Sequence, residues 1–253
     1  MPRTQVDWDA WKAVLFDLDG VVTPTAVVHM HAWDAMFNTF LTRRSAEDGV
    51  AYPPYTEQDY FAHVDGKPRY DGVRSVLVAR GITLPEGSPD DPPTAQTVCG
   101  LGNSKNDAFE TILAAEGVVP YAGSVQLIFA LHRRGIPMAV VSSSRNAPDV
   151  LAAADLSEYF ALVVHGGVAA DLHLPGKPAP DTFAYAAHQL GATNDRAVVL
   201  EDAVSGVAAG RAGDFGLVIG VDRGAGEDAL RGAGADLVVP DLADLVPDEE
   251  GRA

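Results

Sequence analysis

The chain of 253 residues sets 35 acidic against 18 basic side chains, a formal net charge of −17, with 47 % hydrophobic and 21 % charged residues. That is ample for one sizeable core, or a core plus a smaller domain, and it excludes a disordered or fibrous chain. So acidic a surface repels nucleic acids and anionic membranes, so neither is an expected partner; an anionic substrate would need positive groups gathered locally. One cysteine, Cys99, leaves no intrachain disulfide framework and fits a reducing, cytoplasmic compartment. Met1 to Trp11 carries Asp7 and Asp9 and no apolar core of signal-peptide length. No window reaches the roughly 18 apolar residues of a membrane span.

In chain order, a short apolar run at Ala13–Phe16 comes first, and no convincing buried strand follows until beyond Val118. The stretch between holds helix-like segments at Val28–Leu41, Val73–Arg80 and Asn106–Ala115. Within it, Gly81–Gly102 is a loop rich in Pro, Gly and Asp, with Pro85, Pro89, Pro92 and Pro93. A helical pattern at Val125–Arg134 then opens an alternation. Apolar runs at Met138–Val141, Ala161–Val164, Ala197–Leu200, Leu217–Val221 and Ala235–Val239 are separated by helical spacing such as Asp181–Leu190 and Val204–Arg211. The runs are rich in valine, lack polar alternation and are bounded by Gly, Pro or Asp, as parallel strands buried on both faces are. Their alternation with helices predicts a doubly wound, Rossmann-like α/β core over 1–26 and 119–253, with an all-helical cap domain inserted at 27–118. The cap would lie over the carboxyl end of the first strand, where open α/β sheets bind ligands. The acidic tail Asp248–Glu250 reads as solvated.

Four strand-end or loop segments carry chemistry. The first strand ends in Asp17-Leu18-Asp19-Gly20; residues two apart on a strand share a face, so Asp17 and Asp19 can enter one site, and Gly20 lets the chain turn. An acidic turn is the plain alternative. Ser142-Ser143-Ser144-Arg145-Asn146 follows Val141, where hydroxyls could cap a helix or donate to a phosphate. In Gly176-Lys177-Pro178-Ala179-Pro180-Asp181, the two prolines stiffen the loop that presents Lys177. Glu201-Asp202 closes another strand. Four carboxylates at one sheet edge raise one another's pKa and call for a cation, and hard oxygen ligands favour Mg²⁺. An attacking carboxylate, a Mg²⁺ clamp and a lysine suit phosphoryl transfer.

These four motifs, in this order, resemble those of the haloacid dehalogenase superfamily, over about Ala13 to Val221. The resemblance implies Asp17 as a nucleophile forming an aspartyl phosphate and Asp19 as general acid/base. It implies Ser142 and Lys177 as holders of the transferring phosphoryl group, and Asp17, the Asp19 carbonyl, Asp202 and Glu201 around Mg²⁺. The segment Asp17 to Trp33 is similar to the β-phosphoglucomutase family, in which a cap histidine and a tryptophan four residues on, here His29 and Trp33, face the site; four residues apart share a helix face, whereas His31 points elsewhere. The loop Asp65-Gly66-Lys67-Pro68-Arg69 resembles that family's cap loop, in which Gly66 turns the chain and Arg69 would grip the distal phosphate. Lys105-Asn106 resembles its second cap contact, and Arg145-Asn146, with Ser143 and Ser144, the rest of the phosphate site. Pro24 stands where the family usually has aspartate, Arg145 replaces lysine, and the proline-rich loop is an excursion within the cap.

The resemblance therefore implies a Mg²⁺-dependent enzyme that acts on a small-molecule sugar phosphate, and a monomer is expected. It would interconvert a β-hexose 1-phosphate and the 6-phosphate through a hexose 1,6-bisphosphate, which also primes the enzyme. A sugar-phosphate phosphatase with the same nucleophile and water as acceptor is the first alternative. A dehalogenase leaves Asp19 without a task, and a non-catalytic sugar-phosphate sensor has no use for a full catalytic set.

Overall fold

The computed structural model describes residues 6–247; Asp248–Glu250 lie outside them. The described residues form two compact units, 6–24 with 118–247, and 25–117, so the inserted unit begins two residues before the expected 27. Strand β1 (Ala13–Phe16) is buried at all four residues. The inserted unit follows, with α1 (Thr25–Asp48), the single turn α2 (Glu57–Asp59) running into a π-helical turn at Tyr60–Val64, α3 (Arg69–Ala79) and α4 (Val98–Glu116). In α1, Trp33, Met36, Phe37, Phe40 and Leu41 repeat at three- and four-residue steps, so one stripe faces inward. It packs on Tyr55, Tyr60, Val73, Val76, Leu77, Val98 and Leu101 in a core of the unit's own.

Helix α4 begins at Val98, inside the segment expected to be loop to Gly102. Thr97 caps it, accepting from the Gly100 N–H at 2.9 Å, and itself donates to Asp91 Oδ2 at 2.6 Å. Glycines at 100 and 102 lower helix propensity but are required by close neighbours. A Cβ at Gly102 would lie 2.7 Å from the Tyr70 ring, and one at Gly100 2.3 Å from the Ala95 carbonyl oxygen.

The other unit continues with α5 (Ala122–Arg133), β2 (Met138–Val141), α6 (Ala147–Ala153), β3 (Leu162–Val164), α7 (Gly166–Asp171), α8 (Asp181–Gln189), β4 (Ala197–Glu201), α9 (Val204–Ala212), β5 (Leu217–Val221), α10 (Glu227–Ala233) and β6 (Leu237–Val239). All strand pairs are parallel, in the order β3-β2-β1-β4-β5-β6. Ala13, Leu15, Ala139, Val141, Ala197, Val199 and Val218 meet Phe183, Ala187, Val207 and Leu230 on one face. The alternate residues Val14, Phe16, Val140, Val198 and Leu200 are buried too, which is why no polar alternation marks these strands. The chain runs from β1 outward to β3, then returns to the other side of β1 at β4. This reversal brings the carboxyl ends of β1, β2 and β4 side by side at the switch point of the sheet. No helix among the described residues is long and apolar enough to cross a membrane.

Candidate active site

Asp17 is the first residue past β1, and its N–H donates to the Leu200 carbonyl at 2.9 Å, which fixes it beside the end of β4. Lys177 arrives from the loop before α8 and is buried. Its ammonium lies 2.5 Å from Asp17 Oδ1, donates to Glu201 Oε1, and reaches the Val141 carbonyl at 3.0 Å. Three protons meet three acceptors, one from each of β1, β2 and β4 or the residue that follows. Burial in low dielectric would strip this charge from a lone lysine, but the two carboxylates hold it well above the ordinary lysine range. Burial pushes the Asp17 carboxyl up; Glu201 and Asp19 push it further, and the Lys177 ammonium pulls it back.

Glu201 is wholly buried and held at both oxygens, since the Ala203 N–H donates to Oε2 at 3.1 Å. Oxygens of Asp17, Glu201 and Asp202 all lie within 4.8 Å of one another. The approach of Asp202 depends on Gly20: at φ +94° it makes the turn, and a Cβ there would stand 1.8 Å from Asp202 Oδ2. Asp19 accepts from Ser142 Oγ at 3.3 Å. The Lys177 ammonium bonds two of these carboxylates, and the donors that gather here are hard oxygens in a buried setting. That set fits a small divalent cation such as Mg²⁺.

The serine cluster is not a helix cap. Ser142 accepts from the Ser144 N–H at 3.0 Å and Ser144 from the Asn146 N–H at 3.2 Å, while Asn146 caps α6 through its backbone alone. Ser143 is half-buried beside them. Arg145 is exposed; after burial, its charge helps push the nearby His165 imidazole below its usual range.

Within the inserted unit, Lys105 is buried against His29, Trp33 and Phe109. It donates to His29 Nδ1, which leaves the ring proton on Nε2, and His29 stacks on Phe109 at 4.0 Å. His29 and Trp33 do share a face of α1, and His31 is exposed. Gly66, at φ +69°, turns the chain just before α3. Arg69, the first residue of α3, donates to Asn106 Oδ1 at 2.5 Å and to Asn103 Oδ1 at 3.5 Å. Asn103, Tyr70, Phe109 and Glu110 belong to none of the motifs legible in the sequence. The sequence marks them only by two asparagines three apart, followed by Glu110.

A model of the haloacid dehalogenase-like hydrolase family matches residues 11–214. The chain is 49 % identical over 239 residues to a β-phosphoglucomutase of Mycobacterium tuberculosis, covering 93 % of this chain and 91 % of that protein. It is 31 % identical over 237 residues to the β-phosphoglucomutase of Bacillus subtilis, covering 92 % and 91 %. The crystal structure of β-phosphoglucomutase from Clostridium difficile is similar in fold, with a TM-score of 0.72, 21 % identity and 93 % of each chain covered.

Proposed function

Because this chain belongs to the haloacid dehalogenase superfamily and to its β-phosphoglucomutase-like family, we propose that this phosphotransferase interconverts a β-hexose 1-phosphate, β-glucose 1-phosphate first, and the hexose 6-phosphate. The observation that carries the reading is the buried Asp17–Lys177–Glu201 set at the switch point, in a chain 49 % identical to a β-phosphoglucomutase. Lys177 engages Asp17 Oδ1, which leaves Oδ2 to attack phosphorus; as the aspartyl phosphate forms, the bond from phosphorus to the sugar oxygen of the bisphosphate primer breaks, and that oxygen takes its proton from Asp19. Asp19 takes the proton from the sugar hydroxyl as that hydroxyl attacks the aspartyl phosphate and the bond from phosphorus to Asp17 breaks; with no phosphate bound its carboxylate accepts from the Ser142 hydroxyl. Ser142 and Lys177 hold the transferring phosphoryl group; Ser143, Ser144, Arg145 and Asn146 line its approach. Asp17, the Asp19 carbonyl, Asp202 and Glu201 would hold Mg²⁺, which supplies charge stabilisation to the phosphoryl oxygens. In the inserted unit, His29 offers Nε2–H to the sugar phosphate beside Trp33 and Lys105, and Arg69 with Asn106 holds the phosphate that is not in transfer. A hexose 1,6-bisphosphate is the intermediate and primer.

Incubation with Mg²⁺, β-glucose 1-phosphate and a trace of glucose 1,6-bisphosphate should yield glucose 6-phosphate in excess of free phosphate. Free phosphate as the main product would establish the phosphatase reading instead. Arg69→Ala separates the two further. A phosphate contact shielded from water contributes roughly 2–4 kcal/mol, so mutase activity should fall about 30- to 1000-fold. Hydrolysis of acetyl phosphate, which has no second phosphate, should fall far less; equal losses would remove Arg69 from the distal site.

Asp202→Ala tests the cation site. The Mg²⁺ concentration for half-maximal rate should rise by about tenfold or more. Melting without metal should stay level or move up, because one of the crowded carboxylates is gone. An unchanged Mg²⁺ dependence would sink the assignment.

A further inference from the structure

We propose that Asn103 is the positioning residue for the Arg69 guanidinium, and that the proline-rich segment before α4 serves to hold the Asn103 amide facing it. The inference rests on the distal-phosphate role proposed for Arg69.

Asn103 and Asn106 are three residues apart on α4, so their side chains share a face. Their amide oxygens receive the two terminal nitrogens of Arg69, Nη1 at Asn103 and Nη2 at Asn106. An amide can rotate and present NH₂ instead, which would set a donor against a donor. The proline-rich segment removes that freedom at Asn103. Its Nδ2 donates to the carbonyls of Pro89 at 3.0 Å and Asp91 at 2.8 Å, so both protons are spent on the loop and Oδ1 alone faces Arg69. Tyr70 adds a second donor to the same oxygen at 3.0 Å. Asn106 is oriented likewise, by donation from Nδ2 to Glu110 Oε1 at 2.5 Å.

The loop is itself tied down. Glu86 accepts from Arg74 Nε at 3.1 Å and Nη2 at 2.5 Å, the Cys99 N–H donates to the Glu86 carbonyl at 3.1 Å, and the Val98 N–H donates to that of Pro85 at 3.0 Å. Prolines limit the conformations open to the segment, so it holds its carbonyls with little further ordering. On the other side, the absence of a Cβ at Gly102 admits the Arg69 stem, since an added Cβ would lie 3.1 Å from Arg69 Cδ. Amide oxygens orient a guanidinium without neutralising it as a carboxylate would. That suits a group whose charge must act on a phosphate.

The test compares the full-length protein with Asn103→Leu, Arg69→Ala and the double variant in two reactions, the mutase reaction and acetyl phosphate hydrolysis. Asn103→Leu should lower mutase kcat/KM by about 10- to 30-fold, chiefly through KM for the bisphosphate primer, and leave hydrolysis within about twofold. Added to Arg69→Ala, it should cost less than about twofold more, because its partner is already gone. Asn103→Asp, which keeps an acceptor but sets a carboxylate against Arg69 and the incoming phosphate, should lose more mutase activity than Asn103→Leu. Mutase activity kept in Asn103→Leu but lost in Arg69→Ala would overturn the proposal. So would proportional loss of both reactions with a lowered melting temperature, or additive losses in the double variant. Full mutase activity in Arg69→Ala would instead overturn the distal-phosphate reading, a result obtained with Asn103 untouched.

Discussion

Asp17→Asn is expected to lower turnover on the order of 10⁴- to 10⁶-fold, as removal of a nucleophile does elsewhere. The amide has the shape of the carboxylate and can still accept from Lys177, but it carries no charge and cannot form the acyl phosphate. The fold should survive and even gain. Asp17 is buried beside Glu201 and Asp19, and these influences together outweigh Lys177 and push its pKa up. A carboxyl raised in the folded state costs stability once the pH exceeds its unfolded value near 4, so a neutral isostere removes that cost at neutral pH. The measurement is initial mutase rate together with thermal melting in metal-free buffer at pH 7.5. A folded variant with a tenth of wild-type turnover would rule Asp17 out as nucleophile.

Lys177→Met should be damaging in both respects. Methionine keeps much of the aliphatic stem against Phe183 but strips the ammonium from between two buried carboxylates. Removing one member of a buried ion pair costs about 3–5 kcal/mol, because the partner charge is left without compensation. The lysine's own titration adds no pH dependence in the neutral range: its folded pKa is raised, so its contribution is complete below the ordinary lysine value and is lost only at higher pH. Asp17 supplies the pH dependence of the variant. Without the ammonium that pulls it back, its pKa rises further, so the destabilisation should be larger at pH 8 than at pH 5. Urea titrations of both proteins at the two pH values, without metal, measure this directly. A stability difference that shrinks from pH 5 to pH 8 would contradict the buried charge triad. Turnover should fall with stability held constant, since the transferring phosphoryl group loses its fixed cation.

The sheet and the edge that carries the candidate site are legible in the sequence because their causes are local. Six valine-rich runs without polar alternation mark strands buried on both faces, and β1, β2 and β5 begin and end where those runs do. Asp17, Ser142 and Glu201 stand at the ends of such runs, and in a parallel sheet all those ends lie along one edge. The stripe of Trp33, Met36, Phe37, Phe40 and Leu41 likewise announced a helix with one buried face, although α1 runs on past Leu41 to Asp48.

Tertiary structure decided which edges adjoin and which polar groups meet. Nothing in the order of the runs says that β1 lies between β2 and β4, yet that placement lets one ammonium bind groups from all three. Lys177 and Asp17 are 160 positions apart, Arg69 and Asn106 37. Glycines at 100 and 102 hid the start of α4, because local propensity penalises them whereas close contacts with Ala95 and Tyr70 require them. The orientation of the Asn103 amide likewise depends on two backbone carbonyls of a loop that composition alone describes only as rich in proline. Hydrophobic periodicity is a property of neighbouring residues, so the sequence carried it in full. A hydrogen bond's partner is set by where the packed chain returns, and only the folded arrangement supplies that.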